Sequence, residues 1–122
     1  MERRSENRVR EFLPEEEIQL ALIKITEAKV AKFNGNNSKA SRLEREAKKL
    51  AWNAFGSSSR EGDFRIMGLS GDLVIRIEKN QGNHEDVVNK GRVVLNALGE
   101  RAPEFSERIM TEVIKSKQEI EK

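Results

Sequence analysis

Apolar residues recur with helical spacing between residues 14 and 33. Pro14 and the three glutamates after it suit a first helical turn, because proline is tolerated there and carboxylates offset the positive end of the helix dipole. The pattern predicts a helix from Pro14 to Phe33 that ends at Asn34-Gly35. Its apolar residues occupy two sides, so we expect one side to face the core and the other a second layer or a symmetry mate. The alternation Ile23-Lys24-Ile25 leaves a strand as the alternative.

Residues 39–55 predict a second helix, with Asn36, Asn37 and Ser38 as candidate caps and Gly56 as its end. Residues 57–62 then predict a flexible polar connection. On a helical wheel, small and aliphatic residues form one stripe, and basic residues with the single tryptophan form the opposite one. The first stripe is Leu43, Ala47, Leu50 and Ala54, and the second is Ser41, Arg45, Lys48 and Trp52.

Residues 64–67 and 73–77 alternate with a period of two around Gly68, Ser70 and Gly71, which predicts a β-hairpin. In this hairpin Arg65 would lie opposite Arg76. Such a like-charge pair needs a negative neighbour, either Glu78 or Asp63, or an anionic ligand. A lone hairpin is marginally stable, so we expect a third strand from elsewhere in the chain or from a second copy.

Two further helices are predicted after the hairpin, one over residues 85–98 and one that begins at Pro103. Gly91 lies inside the first, where glycine costs about 1 kcal/mol relative to alanine, and so indicates a close backbone approach. Asn83 and Asp86 resemble a capping box. Phe105, Ile109 and Val113 are expected to face inward. The predicted fold class is therefore α+β, with four main helices around one small antiparallel hairpin in the order α-α-β-β-α-α.

The length of 122 residues suits one compact domain. We expect a mixed-charge basic arm over residues 1–13 and a single domain over residues 14–122. Apolar and charged residues each make up 36% of the chain, so the apolar fraction is low and the surface must be highly charged. A core of this kind leads us to expect a homo-oligomer or a partner.

Residues that carry chemistry are scarce. There is no cysteine, and His84 is the only histidine, which excludes disulfides, thiolate metal sites and multi-histidine metal sites. The acids near the hairpin match no calcium-loop spacing, and no nucleotide-binding or nucleophile motif occurs. We therefore predict a non-enzymatic protein with no cofactor and no metal. A small hydrolase that uses His84 and the hairpin acids is the remaining enzymatic alternative.

Charge and hydropathy also bear on location. No apolar run approaches the roughly 18 residues of a membrane span, and the first residues lack the apolar segment of a secretion signal. Together with the absence of cysteine, this predicts a cytoplasmic protein with no membrane partner.

The net charge is only +2, but residues 34–62 hold six Lys or Arg against three acids, a local charge of +3. This leads to the prediction of a small regulatory protein that binds DNA or RNA. Its phosphate contacts would be Arg45, Lys48 and Lys49, Trp52 would stack on a base, and Arg65 and Arg76 would extend the basic patch. The alternatives for Trp52 are burial in the core or at a subunit interface, and a role as an anchor for a protein partner.

The alternative function is a protein-interaction module, an inhibitor or adaptor that acts as a homodimer. It would use the second apolar side of the segment from Ile18 to Phe33, or the tail of the last helix.

Overall fold

A computed structural model describes residues 12–122, and within that range the protein consists of five helices without any strand. The predicted α+β class and the order α-α-β-β-α-α are therefore wrong. The segment predicted to form a hairpin is the third helix. The helices are α1 (Pro14–Phe33), α2 (Asn37–Glu61), α3 (Phe64–Asn80), α4 (His84–Leu98) and α5 (Pro103–Ile120).

The five helices form two helical hairpins with α3 between them. α1 packs along α2, and α4 packs along α5, while α3 contacts α2 on one side and both α4 and α5 on the other. Two main apolar clusters result, one on each side of α3. Trp52 and Leu69 contact both clusters and so connect them. The predicted arm over residues 1–13 lies outside the described residues, apart from Phe12 and Leu13.

The helix α3 begins at Asp63, whose carboxylate accepts a hydrogen bond from the Ile66 amide at 3.2 Å. Because α3 lies between two hairpins, almost all of its surface is buried, and only Arg65, Arg76, Lys79 and Asn80 are exposed. The exposed Arg65, Arg76 and Lys79 are separated by eleven and three residues, close to whole helical turns, so they form a narrow polar stripe. The period-two alternation is confined to residues 64–67 and 73–77, and these short segments predicted a hairpin because Gly68 and Gly71 suggested a turn between them.

Gly68 and Gly71 permit close packing of α3 rather than forming a turn. A Cβ atom added at Gly68 would lie 2.3 Å from Cδ2 of Phe105, and one at Gly71 would lie 2.6 Å from Cγ1 of Val94. The two glycines therefore let α5 and α4 approach the backbone of α3. Without a hairpin, Arg65 and Arg76 are no longer cross-strand neighbours.

The helix α2 continues past its predicted end. Gly56 lies inside it, and the helix ends at Gly62, which has a left-handed φ of 73°. The predicted flexible connection over residues 57–62 is wrong, because residues 57–61 are helical and Ser58 is buried, with its hydroxyl donating to the Ala54 carbonyl at 2.8 Å. The predicted cap is confirmed at the other end, where the Asn36 side chain accepts from the Lys39 amide.

Other boundaries agree with the sequence pattern. The helix α1 has the predicted bounds, α4 ends at Leu98, and α5 begins at Pro103. The close approach predicted at Gly91 is confirmed, since a Cβ there would lie 2.3 Å from Cγ2 of Val113. The capping box predicted at Asn83 is wrong. Its side chain forms no cap hydrogen bond and instead donates to Glu78 and Gln81.

Candidate functional site

Two members of the basic stripe of α2 are half-buried: Lys48 contacts α3, and Trp52 contacts α4. Ser41 and Arg45 of the same stripe are exposed. The Lys48 ammonium donates to the carboxylate of Glu78 at 2.9 Å and to the side chain of Gln81 at 2.8 Å. Lys48 is thus part of an ion pair between helices, and it shares the Glu78 carboxylate with Lys90. The acid that pairs with Lys48 is Glu78 of α3. The predicted hairpin had instead placed Glu78 near Arg65 and Arg76.

Glu78 is the centre of this polar cluster and is fully buried. Its carboxylate accepts hydrogen bonds from Lys48, Lys90 and Asn83. Burial by itself would raise the pKa of Glu78, but the three donors outweigh burial and hold the pKa below its ordinary value. The carboxylate is therefore ionised, and it joins α2, α3 and α4 through two ammonium groups. The sequence contained no local signal for this cluster, because its members are far apart along the chain.

Trp52 is half-buried and has close neighbours. Its indole stacks on the Phe55 ring, with centroids 5.0 Å apart and planes inclined by 13°. The Lys90 ammonium lies 5.5 Å from the indole centroid, within cation–π range. A nucleotide base would have to share or displace these contacts in order to stack. The position of Trp52 between the two core clusters agrees with the structural alternative considered for it.

The other predicted site residues are exposed. Arg45, Lys49 and Arg65 are exposed and form no ion pair among residues 12–122. Arg76 is also exposed, and it pairs with Asp72 at 3.1 Å. The acid that pairs with Arg76 is therefore Asp72, and not Glu78 or Asp63 as predicted. The structure thus separates Lys48 and Trp52, which face other helices, from four solvent-exposed cations.

A second surface appears on α1, on the side away from the core. Four large apolar side chains there are exposed to solvent: Leu22 by 46%, Ile23 by 54%, Val30 by 56% and Phe33 by 91%. With Thr26 between them, these residues form what we call the outer face of α1. The inner side of the same helix buries Ile18, Ala21, Ala28 and Ala31. The prediction of two apolar sides is confirmed, and within residues 12–122 the outer side is largely exposed to solvent, although Leu22 and Thr26 also line a cleft beside α3.

His84 contacts a hydroxyl rather than an acid. Its Nδ1 lies 3.1 Å from Oγ of Ser116, which is buried beneath it. The acids that the enzymatic alternative required, Asp63 and Asp72, bind the start of α3 and two arginines instead. Within residues 12–122 no group of histidine and acidic side chains is arranged to hold a metal ion.

Comparison with known proteins identifies no relative: no protein-family model, curated protein or solved structure matches the chain. None of the helices within residues 12–122 is both long enough and apolar enough to cross a membrane. Indications of function therefore come from the outer face of α1 and from the exposed cations Arg45, Lys49 and Arg65.

Proposed function

We propose that the protein is a non-enzymatic protein-interaction module that forms a homodimer through the outer face of α1. The observation that carries this proposal is the exposure of four large apolar side chains on one side of a single helix. Scattered apolar residues are common on protein surfaces, whereas a contiguous apolar patch is typical of an interaction site. Burying these side chains against another polypeptide would remove their apolar area from water.

The spacing of the outer face suits a helical partner. Ile23, Thr26, Val30 and Phe33 follow intervals of three, four and three residues, which is the spacing of a seam between two packed helices. The 20 residues of α1 extend over about 30 Å, enough for several layers of contact. A second copy of α1 offers the same spacing and length, so the face can pair with itself in an isologous interface.

Charge favours an antiparallel pair. The first turn of α1 carries Glu15 and Glu16, while Lys29 and Lys32 lie near its other end. In an antiparallel dimer the acidic turn of each helix lies near the basic end of its partner. A parallel dimer would place like charges side by side. The antiparallel arrangement also opposes the two helix dipoles.

The test compares the association of the native protein with that of a double variant, Ile23→Glu with Val30→Glu. Both positions are exposed in the single chain, so the variant should fold normally but lose the dimer, because two carboxylates would have to be buried in the interface. Sedimentation equilibrium over a range of protein concentrations measures association, and circular dichroism checks the fold.

The matched control is Met110→Glu with Ile114→Glu, two residues of α5 with similar exposure. The control should associate as the native chain does. A native protein that is monomeric at every concentration would contradict the proposal, as would equal loss of association in both double variants.

Nucleic-acid binding is the second candidate. Arg45, Lys49 and Arg65 favour it, because they are exposed and have no ion-pair partner in the part of the chain that the structure describes. If these three cations each neutralise one phosphate, log K should fall against log salt with a slope of about −2.7 for duplex DNA. Fluorescence anisotropy of a labelled duplex and of a labelled RNA at several salt concentrations measures this slope. Absence of binding at low salt would exclude this candidate and leave the dimer proposal intact.

The role as an inhibitor or adaptor and the cytoplasmic location stay predictions. The absence of cysteine supports that location, because disulfide bonds are common in extracellular proteins and rare in the reducing cytoplasm. Fractionation of cells that express a tagged chain would check it.

A further inference from the structure

A cleft of about 450 Å³ lies where α1, α2 and α3 meet, and its lining combines apolar and cationic side chains. Ile25, Leu73 and Ile77 supply apolar surface, and both Leu73 and Ile77 belong to the buried core. The volume falls within the range of about 300 to 1,000 Å³ that is typical of small-molecule sites. The outer face of α1 borders the cleft at Leu22 and Thr26.

Charge on the cleft is strongly one-sided. Lys29, Lys32 and Arg76 line it, and among the described residues Glu44 is the only acid that does so. Glu44 accepts a hydrogen bond from Lys32 at 3.3 Å, and Arg76 pairs with Asp72, an acid outside the lining. Lys29 is exposed and has no ion-pair partner within residues 12–122. The lining residues therefore have a formal charge of +2 beside an apolar floor, and Lys29 is the one lining cation without an ion-pair partner among the described residues.

From this combination we infer that the cleft binds a small amphipathic carboxylate, a molecule with an aliphatic chain and one anionic end. The aliphatic chain would lie against Ile25, Leu73 and Ile77, where it leaves water. The carboxylate would accept charge-assisted hydrogen bonds from Lys29 and Arg76. A cationic amphiphile would meet like charge at the rim, and a small anion without a chain would leave the apolar floor uncovered. The cleft shares Leu22 and Thr26 with the outer face of α1, but neither Ile23 nor Val30 lines it.

The experiment uses decanoate below its micelle-forming concentration, with the full-length protein and isothermal titration calorimetry. We expect saturable binding with one decanoate per chain. Decyltrimethylammonium, which has the same chain and the opposite charge, and acetate, which has the same head group without the chain, should not bind. Equal binding of the two amphiphiles would overturn the inference, because it would show adsorption by the chain alone.

Two variants test the head-group contacts. Lys29→Gln and Arg76→Gln should each weaken decanoate binding about tenfold, which is the loss of one charge-assisted contact. Lys49→Gln removes a cation that is equally exposed but lies outside this cleft, and it should leave the affinity unchanged. Equal affinities for all three variants and the native chain would overturn the inference.

A second copy of the chain is the competing occupant of the cleft. The Ile23→Glu, Val30→Glu variant separates the two cases, because the ligand site should remain when the dimer is lost. Unchanged decanoate affinity in this variant supports the inference, whether or not the native protein dimerises. The inference would be overturned if decanoate bound more tightly to the variant than to the native protein and if its affinity for the native protein fell as the protein concentration rose. That result would show that a second copy of the chain fills the cleft.

Discussion

At the scale of single residues, two cations near Trp52, Lys48 and Lys90, bind the buried carboxylate of Glu78 and so do not belong to a free basic surface. Lys48 and Lys90 reach the same carboxylate from different helices. Neither lysine is fully exposed, and the carboxylate has no contact with solvent. A buried acid of this kind is stable only while its partners remain, because an unpaired charge in the interior is costly.

Replacing Glu78 should therefore destabilise the protein strongly. Glu78→Gln keeps the shape of the side chain but leaves two ammonium groups without a counter-charge, and we expect the free energy of unfolding to fall by about 3 kcal/mol. Urea denaturation followed by circular dichroism measures the change.

Glu112→Gln is the matched control for Glu78→Gln. It breaks the more exposed pair with Lys79, and we expect it to cost less than about 1 kcal/mol. Similar losses in the two variants would show that the buried cluster contributes no more than a surface pair.

At the scale of elements, the glycines have different roles that the sequence alone did not separate. Gly56 was predicted to end α2, yet it lies within the helix, and a Cβ added there would meet only Nη1 of Arg60 at 3.8 Å. Gly68 was predicted to be near a turn, yet it lies within α3 against the ring of Phe105. Both glycines are helical, and only the neighbouring helix distinguishes them.

The two glycines predict opposite effects of the same substitution. Gly56→Ala should stabilise the protein by up to about 1 kcal/mol, because alanine has the higher helix propensity and the site has space. Gly68→Ala should destabilise it by about 1–3 kcal/mol, because the new methyl group would overlap the Phe105 ring. Thermal unfolding of the two variants in parallel checks both signs. If Gly68→Ala stabilised the protein instead, α3 and α5 could move apart without lowering the free energy of unfolding.

At the scale of the whole molecule, α3 holds two helical hairpins together, and the polar cluster crosses the same junction. Lys48 belongs to α2, Glu78 to α3 and Lys90 to α4. The apolar clusters on the two sides of α3 meet at Trp52 and Leu69. Protonation of one carboxylate therefore affects contacts among three helices at once.

This coupling predicts a dependence of stability on pH. The folded state lowers the pKa of Glu78 below its ordinary value of 4.5, so its contribution is complete above that value and is lost as pH falls through the folded pKa. The difference in unfolding free energy between the native chain and Glu78→Gln should therefore be largest near pH 7 and should shrink below about pH 4.5. Urea denaturation at pH 7, 5 and 3 measures it. A difference that does not change with pH would contradict ionisation of Glu78 as the cause.

Helix ends carry strong local signals, and these were enough to predict the bounds of α1, the limits of α4 to within one residue and the start of α5. Pro14, Asn36 and Pro103 act through the backbone of their own helices, so a single sequence contains the information. Of the candidate surfaces, the apolar outer side of α1 was also predictable, because a helical wheel shows both of its faces.

The amino-acid sequence by itself thus determined where four of the five helices begin, to within about two residues, where α1 and α4 end, and that α1 has two apolar sides. Only the tertiary structure decided that residues 64–80 form a helix, because it shows that Gly68 and Gly71 allow α5 and α4 to pack closely and do not form a turn. The tertiary structure also decided that Lys48 and Trp52 are half-buried against other helices, since their neighbours Glu78 and Lys90 come from distant parts of the chain. Short-range propensities act along the backbone, whereas burial and ion pairing depend on which helices meet in space.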